Sequence, residues 1–249
     1  MLEPLAIRDS TERFRSIEES VKANIKKVLS LSRDEDSKLI YPENIKKVLS
    51  LRNKDSKLIY PEVVLAFFNT NKVSKNIYKI SDYSQIKEKF EDIRPQGDTN
   101  IAPTFKHLMS QWLENRKQSG TDAAVVVYVD GLVDDFKNFV AEIKNVASQI
   151  EHHSHLKILI IGITDAINHE RTVQWYFELD LNGFDFRDAN GQPVSIVTFD
   201  RMDDVEEMGG VIPAIEAQLI ENSETGLPDW LAEEFPDLYQ KLKQKYNCN

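Results

Sequence analysis

The sequence predicts an α/β domain in which a mostly parallel β-sheet is covered by helices on both faces. Strands that are buried on both faces consist of nearly continuous apolar residues. The chain has four such runs, at residues 63–68, 123–129, 157–163 and 194–199. Apolar stripes of helical spacing lie between them, at residues 102–113 and 136–150. Strands that alternate with amphipathic helices are typical of a three-layer, Rossmann-like arrangement.

A helix is predicted ahead of the first of these strands. Its apolar residues recur every three or four positions. They are Phe14, Ile17, Val21, Ile25 and Val28. Ser16 and Glu19 match a capping box, so we expect the helix to begin near them.

A hairpin is predicted after the first apolar run. Residues 69–74 break the apolar pattern, and residues 76–81 resume it with strand-like alternation. This second segment is expected to be an antiparallel strand at the edge of the sheet, which makes the sheet mixed.

The last part of the chain predicts a helical tail over residues 223–249, after a main domain over residues 1–222. Its apolar residues have near-helical spacing. They are Trp230, Leu231, Phe235, Leu238 and Leu242. We expect the tail to pack back on the main domain; the alternative is a helix that docks on a partner.

A tandem duplication lies between the first helix and the first apolar run. Residues 24–43 read NIKKVLSLSRDEDSKLIYPE, and residues 44–62 read NIKKVLSLRNKDSKLIYPE. Two copies of one helix-and-turn unit are too few to form a solenoid core. The first copy is therefore expected to complete the first helix and the second to be an insertion. Deletion of residues 44–62 should leave a folded protein.

Composition restricts the classes of partner. The net charge is −10, which opposes sequence-independent binding of nucleic acid and favours a cation or a basic partner. The one cysteine, Cys248, excludes an internal disulfide. No apolar run approaches the roughly 20 residues that span a bilayer, and the first residues have no apolar signal-peptide segment. A cytoplasmic protein that binds no membrane is expected.

Polar residues follow or precede the predicted elements at one edge of the sheet. Residues 96–103, QGDTNIAP, place Gly97, Asp98 and Thr99 directly before an amphipathic helix. Residues 128–132, YVDGL, place Asp130 and a glycine directly after a buried strand. Loops at the carboxyl ends of parallel strands are where open α/β sheets bind ligands.

These segments resemble the von Willebrand factor A domain family, over about residues 5–222. The resemblance implies a six-stranded, mostly parallel sheet with one antiparallel edge strand. It also implies a metal-ion-dependent adhesion site, in which a partner protein completes the coordination of a divalent cation with an acidic side chain. LAIRD, at residues 5–9, corresponds to the family's first strand.

By this resemblance the metal ligands are Asp9, Thr11, Thr99 and Asp130, and Asp98 is a nearby acceptor that orients bound water. Removing one copy of the duplication leaves 39 positions between Asp9 and Phe67, a length that suits one loop, one helix and one connection. Carboxylates and hydroxyls with an open position suit Mg²⁺.

Arg13 departs from the family's pattern, because it stands where a ligand hydroxyl is expected. A guanidinium at that position repels a divalent cation. Two interpretations therefore stay open: a domain that binds metal, and a domain that kept the fold and lost the ion.

The alternative from another class is a magnesium-dependent hydrolase or phosphotransferase that uses Asp130. Such an enzyme needs a second acid two positions later, where this chain has Leu132. The sequence also has no phosphate-binding loop and no nucleophile elbow. A non-enzymatic protein-binding domain is therefore the preferred hypothesis.

Overall fold

The structure is a computed structural model that describes residues 10–33, 63–68, 76–91, 99–163, 167, 169–218 and 226–247. Its regular elements alternate between helices and strands along most of the chain. They are α1 (Ser10–Arg33), β1 (Val63–Ala66), β2 (Ile77–Ile80), α2 (Gln85–Glu91), α3 (Ala102–Ser119), β3 (Ala123–Val129), α4 (Phe136–Ala147), a 3₁₀ turn (His153–His155), β4 (Leu156–Gly162), α5 (Glu170–Asp180), β5 (Val197–Arg201), α6 (Met202–Glu207), α7 (Val211–Gln218), α8 (Asp229–Glu234) and α9 (Pro236–Tyr246).

Three parallel strands form the centre of the protein, in the order β3-β4-β5. Every residue of β4 is buried, because β4 has a strand on each side and helices on both faces. The predicted α/β class is confirmed, as are the strands predicted over residues 123–129 and 157–163. The last strand begins at Val197, three residues later than the apolar run. The Val194 amide, at the start of that run, donates to the Phe186 carbonyl at 2.9 Å.

The predicted hairpin is confirmed: β1 and β2 pair antiparallel, with Val63 opposite Ile80. Within the described residues, however, these two strands form a sheet of their own, separate from the three parallel strands. Among those residues β1 pairs only with β2, and its side chains are half-buried or exposed rather than fully buried. The predicted first strand, residues 5–9, lies outside the described residues, so a single six-stranded sheet stays a prediction.

Helices cover both faces of the parallel strands. Phe105 of α3, Phe139 of α4 and Phe177 of α5 belong to the larger apolar cluster, together with Ile158 and Ile160 of β4. On the opposite face, α6 and α7 pack against the alternate residues of β4. Those contacts involve Leu159, Ile161, Val205, Ala214 and Ile215. The alternation of side chains along a strand explains why one strand serves both clusters.

The tail packs back on the domain, as predicted. Leu231, Leu238 and Leu242 have no exposed surface and belong to the larger cluster. At the end of α9, the Lys245 ammonium donates to both carboxylate oxygens of Glu178 on α5, at 2.8 Å. Within the described residues, no helix is long and apolar enough to cross a membrane.

Helix α1 contains the NIKKVLSL segment of the first repeat copy, as predicted. Asn24, the first residue of that copy, contacts two other elements. Its Oδ1 accepts a hydrogen bond from the Val211 amide at the start of α7 (3.1 Å), and its Nδ2 donates to the Tyr128 hydroxyl on β3 (3.1 Å). The capping box predicted at Ser16 is wrong, because α1 begins at Ser10. The second copy lies outside the described residues.

Candidate functional site

Two of the four predicted metal ligands have side chains that the structure describes. Thr99 is half-buried, two residues ahead of the Ile101 that caps α3, and Asp130 is exposed directly after β3. We call this region, where β3 ends and α3 begins, the carboxyl edge. It is the side of a parallel sheet on which α/β proteins bind ligands.

Two aspartates join the loop after β3 to the segment before α3. The Asp134 carboxylate accepts a hydrogen bond from the Thr99 amide (2.6 Å), and the Asp134 amide donates to the Thr99 carbonyl (2.9 Å). The Asp135 carboxylate accepts from the amides of Ile101 (3.0 Å) and Ala102 (2.9 Å). We call Asp134 and Asp135 the aspartate clamp. Because of the clamp, Thr99 and the loop that begins with Asp130 lie at the same edge.

The clamp corrects one expectation from the sequence. Acids that precede a helix usually stabilise that helix's own amino end, which for Asp134 and Asp135 is the start of α4. Asp135 does occupy the capping position of α4, but its side chain makes no capping hydrogen bond there. It satisfies the free amides at the start of α3 instead. A separation of 33 to 35 residues hides this contact from local sequence patterns.

A buried tyrosine supports the backbone next to Asp130. The Tyr176 hydroxyl, from α5, donates to the Gly131 carbonyl at 2.8 Å. Burial raises the pKa of Tyr176, and the nearby charge of Asp130 adds to the increase. Tyr176 therefore stays a neutral donor, and the turn after β3 is held at a fixed position. No local sequence pattern indicates this role for Tyr176.

The structure does not describe the side chains of the remaining predicted site residues. Asp9 and Asp98 lie outside the described residues. Thr11 lies in the first turn of α1, where the structure describes the backbone only. Among the described residues, no three His, Cys, Asp or Glu side chains form a group that could hold a metal ion.

A second set of carboxylates lies around β5. Burial raises the pKa of Asp200 to about 7, and the neighbouring charge of Asp204 contributes. Burial likewise raises the pKa of Asp180 to about 7, although its Oδ2 accepts a hydrogen bond from the Phe199 amide at 3.1 Å. These groups are protonated in part at neutral pH, so the stability of the fold depends on pH.

We expect Asp200→Asn to stabilise the protein at pH 8 by about 2 kcal/mol and to have almost no effect at pH 4. The folded pKa is higher than the unfolded value, so the cost of a buried charge is absent below the unfolded pKa of 3.8 and complete above about 7. Asparagine stays neutral and removes that cost. Urea unfolding at several pH values measures the difference, with the exposed neighbour Asp203→Asn as control. A stabilisation that does not depend on pH would contradict this assignment.

No protein-family model matches this chain, and no curated protein has a matching sequence. The resemblance to the von Willebrand factor A family therefore depends on the motifs at residues 96–103 and 128–132.

Proposed function

We propose that this chain is a non-enzymatic, cytoplasmic protein-binding domain of the von Willebrand factor A type, with its contact surface at the carboxyl edge. A partner carboxylate binds there through a divalent cation such as Mg²⁺. The observation that carries the proposal is the aspartate clamp. It brings the loop that begins with Asp130 against Thr99, the two positions at which the family has oxygen ligands.

The proposal includes a single six-stranded sheet with residues 5–9 as its first strand, between the hairpin and the parallel strands. Within the described residues, β3 pairs with β4 along one edge only. Tyr128 of β3 packs against two apolar clusters. One is formed by the hairpin together with α1 and α2, and the other by β4, α6 and α7. A strand between β1 and β3 joins the two sheets and ends with Asp9 beside Asp130.

The donor set suits a hard cation. Thr99 contributes a hydroxyl and Asp130 a carboxylate, and the proposal adds Asp9 and Thr11 as oxygen ligands and Asp98 as an acceptor for bound water. Such a cation, when bound, offers a coordination position to a carboxylate of the partner. The chain itself holds the two loops together through Asp134 and Asp135. No nucleophile or base is needed for this function.

Magnesium titration by calorimetry tests the proposal. We expect a saturable heat for the wild-type protein and none for Asp130→Ala, because the alanine removes a charged ligand. Asp122→Ala is the matched control: Asp122 lies at the other end of the same strand, where it pairs with Arg116 at 2.7 Å, and the heat should be unchanged. The absence of heat in the wild-type protein would reject the metal site.

A further inference from the structure

A cavity of about 400 Å³ opens next to the carboxyl edge, between the start of α4 and the start of α5. Its walls include the two clamp aspartates, two cationic side chains and one indole ring. These residues are Asp134, Asp135, Lys137, Arg171 and Trp175. The cavity is half-open to solvent, so its shape suits a side chain that enters from a partner surface.

Both aspartates of this cavity already accept hydrogen bonds from backbone amides. Asp134 accepts from the Thr99 amide, and Asp135 accepts from two amides at the start of α3. Their negative charge thus faces the positive end of a helix, where it is stabilised. The two cations in the same cavity are exposed and stay available to a further anion.

Lys137 and Arg171 are both exposed, and neither forms an ion pair or a hydrogen bond within the described residues. This contrasts with Lys106 on the neighbouring helix α3, which pairs with Glu142 at 2.8 Å, and with Lys245, which pairs with Glu178. In a protein of net charge −10, these two cations lie together in one cavity without an acidic partner among the described residues. Arginine and lysine side chains bind carboxylates through charge-assisted hydrogen bonds.

Trp175 supplies the apolar wall. Its ring is stacked on Phe184, with 5.9 Å between ring centroids and an interplanar angle of 13°, and it also contacts Phe136. These contacts hold the indole in place while it stays partly exposed. Its N–H has no acceptor among the described residues, unlike the N–H of Trp112, which donates to the Thr121 carbonyl. The cavity therefore combines a fixed aromatic wall and a free donor with two cations.

We propose that this cavity binds an acidic segment of a protein partner, with a carboxylate side chain between Lys137 and Arg171 and an adjacent aromatic side chain against Trp175. The inference rests on the proposed function, because the same partner contacts the carboxyl edge. It adds a second contact that does not depend on metal. Charge complementarity supports this occupant, because Lys137 and Arg171 are exposed and have no acidic partner among the described residues.

The test uses the indole N–H resonances of the three tryptophans in ¹⁵N NMR spectra, with Trp175→Phe to assign the signal of interest. The probe is an acetylated, amidated hexapeptide of alternating glutamate and phenylalanine, and the control peptide has glutamine in place of glutamate. We expect a saturable shift of the Trp175 signal, with Kd on the order of 1 mM. The glutamine peptide should bind at least about tenfold more weakly.

Variants locate the contact. Arg171→Ala and Lys137→Ala should each weaken peptide binding by about tenfold. Lys144→Ala, an exposed cation at the other end of α4, should leave it unchanged. Equal binding of both peptides, or wild-type affinity in both cavity variants, would overturn the inference.

Chelation separates this inference from the proposed function. Peptide binding to the cavity should persist in EDTA and in Asp130→Ala. If EDTA and Asp130→Ala both abolish binding, the carboxylate occupies the metal site, which supports the proposed function and rejects the cavity. If binding persists while magnesium produces no heat, the cavity contact holds and the metal site fails.

Discussion

Asp135→Ala is expected to lower the free energy of unfolding by about 2–3 kcal/mol. The Asp135 carboxylate accepts hydrogen bonds from two backbone amides at the start of α3. Hydrogen bonds to a charged group contribute about 1.5–3 kcal/mol each, and the loss of a helix cap costs about 1 kcal/mol. Water replaces part of the loss, because the site is half-buried. Urea unfolding followed by circular dichroism measures the change.

Asp134→Ala should lower the free energy of unfolding less than Asp135→Ala does. Among the described residues, its exposed side chain accepts one amide hydrogen bond, from Thr99, so we expect a loss of about 1 kcal/mol. Asp134→Ala and Asp135→Ala should also reduce the heat of magnesium binding, because each substitution releases the segment that carries Thr99. A wild-type unfolding midpoint for Asp135→Ala would show that the clamp does not stabilise this edge.

Asn24→Ala should destabilise the protein by about 2 kcal/mol. The Asn24 side chain caps α7 through the Val211 amide and donates to the partly buried hydroxyl of Tyr128. Alanine leaves the first amide of α7 without its acceptor, and among the described residues the Tyr128 hydroxyl then keeps Ser20 as its one partner. Loss of a cap and of one partly buried hydrogen bond each costs about 1 kcal/mol.

The duplication provides a matched control for this variant. Asn44 opens the second copy of the same octapeptide, NIKKVLSL. The Val211 amide and the Tyr128 hydroxyl are already bound by Asn24, so we expect Asn44→Ala to change stability by less than about 0.5 kcal/mol. Equal destabilisation by the two substitutions would contradict the assignment of this role to the first copy alone.

Local patterns were sufficient to predict most of the core. The continuous apolar run at residues 157–163 predicted the buried strand β4, and the alternation at residues 76–81 predicted the antiparallel β2. Spacing also predicted that the tail packs back, which the complete burial of Leu238 and Leu242 confirms. These predictions succeed because burial on one face or two faces imposes its own period on the sequence.

Contacts between distant segments were not predictable in the same way. Asp134 and Asp135 precede a helix, a position that indicates capping of that helix, yet they bind amides more than 30 residues earlier. Asn24 lies within helix α1, and its side chain accepts a hydrogen bond from the first amide of α7, 187 residues later. In each case a polar side chain accepts hydrogen bonds from backbone amides of an element that is distant in sequence. Tertiary packing rather than local propensity decides which element that is.

Paramagnetic broadening by Mn²⁺ tests the central claim, a cation site at the carboxyl edge, most directly. Mn²⁺ is a hard cation with the oxygen preference of Mg²⁺. We predict that it selectively broadens the amide signals of Thr99, Asp130 and Gly131, that excess Mg²⁺ reverses the broadening, and that Asp130→Ala abolishes it. Signals of Asp122 and Ala123, about 20 Å away at the other end of β3, should stay sharp. Broadening that is centred elsewhere, or that persists in Asp130→Ala, would contradict the proposed site.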